Sequence, residues 1–203
     1  MATVFTGASA NEATNGTDSQ SHARGEAAAY WFVNAAFLQE IKDSNPHLWH
    51  EVHRLRTLCE LEPSDLEKPQ ATIRELVGCL DELRDLLALQ FALEESYGLI
   101  SAGSDAAQRI AASLSIAEQS DAEHERQRMV RNVTDQHRCL YLQLIDLVEQ
   151  AEELQYRGCD VDCLRMMTTS IERFSRDLTA HERLEAELIR LHDSRARSGG
   201  PDE

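Results

Sequence analysis

The stretch LALQFALEESYG, residues 87–98, carries an amide and a carboxylate, Gln90 and Glu94, four positions apart. In a helix that spacing puts both on one face, one turn from each other. Further on, HERLE gives His181 and Glu185 the same spacing, and DQHRCLYLQLIDL contributes His137. Imidazoles and carboxylates gathered inside a fold are ligands for iron, manganese or zinc. Without an ion the same groups need hydrogen bonds, because an isolated buried carboxylate is costly. A water-filled or ligand-binding gap is a third way to keep them inside.

Four segments must position these residues. In each, apolar residues recur in steps of three and four, the signature of an amphipathic helix. The first, from about Glu26 to Glu60, has the inward row Leu38, Ile41, Asn45, Leu48, Val52, Leu55, Cys59. Pro46 lies inside it and predicts a kink or a fresh start at Ser44 or Asn45. The second opens near Pro69 and has the row Ile73, Leu76, Leu80, Leu83, Leu87, Gln90, Glu94, Tyr97. The third row is Val130, Val133, His137, Leu140, Leu144, Leu147, Ala151, Leu154, and YRGCDVD then supplies a glycine stop and a capping aspartate. The fourth is Leu164, Met167, Ile171, Phe174, Leu178, His181, Glu185, Leu188, His192. Residues 106–118 are compatible with a short helix or with the start of the third. Short links at 61–69 and 157–161 predict an all-α, up-down-up-down four-helix bundle.

Each row is interrupted by polar residues, and the interruptions fall at one depth. At about 1.5 Å per helical residue, Asn45, Gln90, His137 and His181 each lie roughly 24–30 Å from the end of the bundle that holds the short links. The expectation is therefore an internal polar layer.

Composition narrows the function classes. A chain of 203 residues supports one domain with a sizeable core, expected over 26–196, between loosely ordered segments at 1–25 and 197–203. The formal net charge of -16 would repel phosphate backbones, which argues against nucleic acid as a partner. No apolar run approaches the roughly 18–20 residues that span a bilayer. The N-terminal residues lack a basic stretch followed by an apolar one, so no signal peptide is expected. Five cysteines in that setting are expected to be reduced thiols of a cytoplasmic protein.

Taken in order, QFALEESYG, DQHRCLYLQLIDL and HERLE resemble the motifs of the hemerythrin-like (HHE cation-binding) family of four-helix bundles. Members of that family place His on the first helix, His-x-x-x-Glu on the second, His on the third and His-x-x-x-Glu on the fourth. The resemblance covers roughly residues 37 to 190. It implies a non-heme metal site, iron foremost with manganese or zinc as alternatives, on Glu94, His137, His181 and Glu185. The implied function is oxygen, oxidant or iron binding and sensing, with O2 or peroxide as a further partner. Asn45 and Gln90 stand where the family has histidine. An amide oxygen is a weaker ligand than imidazole, which leaves two His and two Glu to hold one ion well or two loosely. A half-turn shift around Pro46 would be needed to bring His50 or His53 inward instead. Two other readings stay open: a di-metal oxidase or peroxidase-like enzyme, and a metal-free helical adaptor whose polar layer fixes register.

Other residues invite chemistry and have plainer explanations. His47, His50 and His53 fit a solvated helix face. His192 suits a helix end, where basic residues are favoured. Cys159 and Cys163 lack the spacing and the second pair of a zinc site. Tyr97 and Tyr141, each one turn from a layer residue, are suited to packing.

Overall fold

The computed structural model describes residues 30–60, 69–102 and 121–198. The expectations for 1–25, for the link at 61–68, for 106–118 and for 199–203 lie outside these ranges, while Arg197 and Ser198, expected in the loose tail, still belong to the last helix. Among the described residues the chain is all-α apart from one small ribbon. Strand β1 (Tyr30–Val33) is followed by α1 (Ala35–Ser44), α2 (Pro46–Cys59) and α3 (Pro69–Leu93). A single π-helical turn (Glu94–Gly98) leads from α3 into β2 (Leu99–Ala102), and α4 (Asp121–Arg157) and α5 (Val161–Ser198) complete the fold. No described helix is long and apolar enough to cross a membrane.

The helix boundaries follow from local chemistry. Asn45 ends α1 and caps α2, its side chain accepting from the Leu48 N–H while Pro46 fills the first helical position. The fresh start expected at Pro46 is therefore present. Gly158, at φ +95, stops α4 in the left-handed region. Asp160 then opens α5, its carboxylate accepting from the Cys163 N–H at 2.8 Å.

The expected helix start near Glu26 is corrected. Tyr30–Val33, an aromatic and β-branched run, pairs antiparallel with Leu99–Ala102 in the register Tyr30↔Ala102 to Val33↔Leu99. The helix begins only after Asn34, whose side chain caps the Phe37 N–H. Helix α4 holds the ribbon. The Gln127 amide accepts from the Trp31 N–H and donates to the Trp31 carbonyl, both at 2.9 Å, so it pairs with β1 as another strand would. Tyr30 donates to Glu123 at 2.7 Å.

Packing runs in a ring: α2 on α3, α3 on α4, α4 on α5, and α5 against both α1 and α2. The inward rows are buried along nearly their whole length, and Asn45, Cys59, Leu154 and His192 are half-buried at the margins. Tyr97 is the exception, 55% exposed. The π-helical turn inserts a residue after Glu94, so a position that an unbroken α-helix would turn inward faces out.

The buried apolar residues form two clusters. The larger one includes Leu48, Leu55, Leu80, Leu87, Leu144, Leu164, Phe174 and Leu178. The smaller, beneath the ribbon, includes Val33, Leu38, Leu99, Val130, Val133 and Leu188. On every helical row the polar residues fall between them, as Leu140, His137, Val133 on α4 and Leu178, His181, Glu185, Leu188 on α5 show.

Candidate metal centre

Gln90, Glu94, His137, His181 and Glu185 are all buried, Glu94, His181 and Glu185 completely so. The polar layer expected from the sequence is present. Glu94, His137 and His181 each bring a ligand atom within 4.8 Å of the others. Glu185 joins His181 and Glu182 in a second such group. The two groups share His181.

The imidazoles are fixed by their outer nitrogens. His137 Nδ1 is 2.9 Å from Glu95 Oε1, and His181 Nδ1 is 3.2 Å from Gln136 Oε1. Those oxygens only accept, so each Nδ1 carries the proton it donates. In the neutral imidazole this leaves Nε2 with a free lone pair turned into the layer, the arrangement in which a carboxylate or carbonyl orients a metal-binding histidine. Phe91 holds both rings, stacked on His137 with centroids 4.2 Å apart and edge-on to His181 at 5.5 Å.

The inner atoms lack partners. Both oxygens of Glu94, Nε2 of His137, Nε2 of His181 and Oε1 of Glu185 are buried with no hydrogen-bond partner among the described residues. His137 Nε2 lies 3.2 Å from Glu94 Oε2, close enough for an ion pair but not aligned as a hydrogen bond. Buried polar atoms are rarely left in this state, and several together call for an explanation. All five belong to residue types that ligate iron, manganese or zinc, so the donor set fits a cation.

The amides differ at their oxygens, although Gln90 Nε2 is also a buried donor with no partner among the described residues, one that a cation would not satisfy. Asn45 Nδ2 donates to Gln90 Oε1 at 3.1 Å, while Asn45 Oδ1 accepts from the Leu48 N–H at 3.3 Å. Both amide oxygens already accept, so neither residue offers a free ligand atom in this arrangement. His47, His50 and His53 are exposed on the outer face of α2, and His47 Nε2 sits 3.0 Å from Glu82. No half-turn shift brings them inward.

Sequence reasoning missed Lys42, Glu95, Gln136 and Glu182. The Lys42 ammonium from α1 bonds to Glu182 and lies 2.5 Å from Glu185 Oε2. Its signal was position alone, three residues before Asn45 and thus on the same side of the chain at the helix break. Glu95 is brought beside His137 from the π-helical turn, so the adjacent carboxylates of Glu94 and Glu95 reach opposite nitrogens of one ring.

Electrostatics follow from burial and these pairings. Burial disfavours a charged His137, but the flanking carboxylates of Glu94 and Glu95 outweigh it and raise the imidazole to about 9. His181 is driven down to about 3, by burial first and then by positive charge at His137 and Lys42. Burial, with the charge of Glu94, lifts Glu185 to about 7 despite Lys42 beside it. Burial opposes the charge on Lys42, yet Glu185 and Glu182 hold its ammonium above the usual lysine value. Carboxylates outnumber cations in the layer, which favours an added positive charge.

A cleft of about 310 Å³ between α3 and α4, lined in part by Phe91, Glu95, His137 and Tyr141, meets the outer edge of the layer. A roomier cleft of about 530 Å³ between α2 and α5 is lined by Arg56, Ile171 and Arg176 among others, and by none of the layer's candidate ligands.

Comparison of the chain with family models, with curated proteins and with solved structures gives no match.

Proposed function

We propose that this chain is a hemerythrin-like, non-heme metal-binding protein that serves in oxygen, oxidant or iron sensing. The ligands are Glu94, His137 and His181, with Glu185 beside them. One observation carries the reading: buried Glu94, His137 and His181 each bring a ligand atom within 4.8 Å of the others, and both Glu94 oxygens and the two Nε2 atoms have no hydrogen-bond partner among the described residues. Two His and one carboxylate with positions left open form a set used for non-heme Fe(II), and zinc is also held by such a set. When bound, iron would supply reversible coordination of O2 or reaction with an oxidant. The protein's own part is to orient the ligands and to surround them with apolar residues. The ring of helix contacts and the short turn at 158–160 support an up-down-up-down bundle.

The test is elemental analysis of protein purified from iron-supplemented cells. Metal should be present in the wild type and absent from the His137→Ala, His181→Ala double variant. A wild-type preparation with an intact fold and no metal overturns the proposal.

A second reading has its own observation. Lys42 bonded to Glu182 and Glu185, and His137 set between Glu94 and Glu95, are the pairings of a polar core that keeps its carboxylates compensated without an ion. In that reading the bundle is a helical adaptor. A melting temperature unmoved by chelators would favour it, since a ligand bound only by the folded state raises stability.

A further inference from the structure

The two donor groups that share His181 are not in the same condition. In the first, neither Glu94 oxygen and neither inner imidazole nitrogen has a hydrogen bond among the described residues, and the one close approach is His137 Nε2 to Glu94 Oε2 at 3.2 Å, a proton site that an ion can replace. In the second, made of His181, Glu182 and Glu185, one oxygen of each carboxylate already meets a cation, the Lys42 ammonium. That ammonium arrives from α1, which packs against α5 at this level. Its side chain is 15% exposed, and Glu185 is fully buried.

We propose that Lys42 is the layer's built-in second cation: it holds the Glu182–Glu185 corner, so the layer takes one divalent ion at the Glu94–His137–His181 corner and rejects a second. The inference rests on the metal reading above and gives it a stoichiometry. Three effects act together. A divalent ion entering the second corner would meet an ammonium at contact distance, and like charges repel strongly where water is excluded. One oxygen of each carboxylate already accepts an N–H bond from Lys42, so an ion there would find only the other oxygen of each, beside the ammonium. Swinging Lys42 away to make room would break a buried ion pair, and that rupture is more costly than the pair's formation is favourable. Lysine suits the task because its long apolar stem crosses the packed surface of α1 while the charge reaches its partners.

Lys42 is thus a specificity-determining residue, and the experiment counts ions. The full chain is stripped with chelator, dialysed against excess Mn(II) or, without oxygen, Fe(II), and the metal content per chain is measured. Wild type and Lys42→Arg, which keeps the charge, should each bind one ion. Lys42→Met and Lys42→Gln should each bind two, a doubling of metal content. Lys42→Gln retains hydrogen-bond donors to the carboxylates, and both neutral variants are loaded with excess Mn(II) during purification in place of the chelator step, so that uncompensated charge does not unfold them. Circular dichroism verifies the helices. Two ions in the wild type, or fewer than two in the folded neutral variants, overturns the inference while the metal reading stands. No ion in the wild type overturns the metal reading itself.

Discussion

His137 has a carboxylate at each ring nitrogen, Glu94 at Nε2 and Glu95 at Nδ1. Its imidazole is held at about 9 in the metal-free fold, against an ordinary value of 6.5. A base with a raised value adds stability that is complete below the unfolded value and is lost as pH rises through the folded one. His181, held at about 3, stays neutral between pH 7 and 9, and Glu185, with its midpoint near 7, adds only the second half of its titration, in the same direction. Chelator-treated protein should therefore melt at a lower temperature at pH 9 than at pH 7. In His137→Gln that slope should flatten, and an equally steep fall in the variant would contradict the assignment. Residues at this scale differed in how readable they were. Glu94, His137, His181 and Glu185 stood out because each breaks an apolar row, and burial of all four follows from the row. Lys42 and Glu182 stand beside their rows, and nothing in a lysine's type announces that its charge is turned inward.

Elements explain the remaining departures. An α-helix sets consecutive side chains about 100° apart, so periodicity alone cannot aim both Glu94 and Glu95 at one ring. The π-helical turn from Glu94 to Gly98 changes that local geometry, and such turns are common at functional sites. It also moves Tyr97 outward, against the row that placed it inside. Gly98 closes the turn where the chain meets α1: a Cβ there would lie 2.2 Å from Leu38 Cδ2 and 2.8 Å from Leu38 Cγ, and Leu38 is fully buried. Gly98→Ala should destabilise the fold by roughly 1–3 kcal/mol, the cost of an overpacked core. Urea denaturation measures this, and an unchanged midpoint would show that Leu38 yields. The break at Pro46 was legible because proline and an Asn cap have fixed local meanings. The ribbon was not, since a four-residue strand has almost no periodicity and its partner lies far along the chain.

At the scale of the whole molecule, length and patterning made the all-α class and the buried rows readable, because a repeat sustained over many turns leaves few other ways to bury its apolar face. The division of the core into two clusters emerges only when the rows are laid side by side. The polar layer between them is a fault line for cooperativity. Apolar contacts bind each side internally, but the sides meet largely through charges and amides whose alignment is incomplete. Regions joined in this way open as separate units. In native-state hydrogen exchange without metal, amides of α4 near Val130 and Val133 and those of the ribbon should exchange through a lower-energy opening than amides near Leu80 and Leu144. Loading the metal should bring the two groups together, and equal exchange energies in the stripped protein would show that no such boundary exists. If the boundary is real, the same residues that would bind the ion would also decide whether the ribbon end of the molecule stays shut.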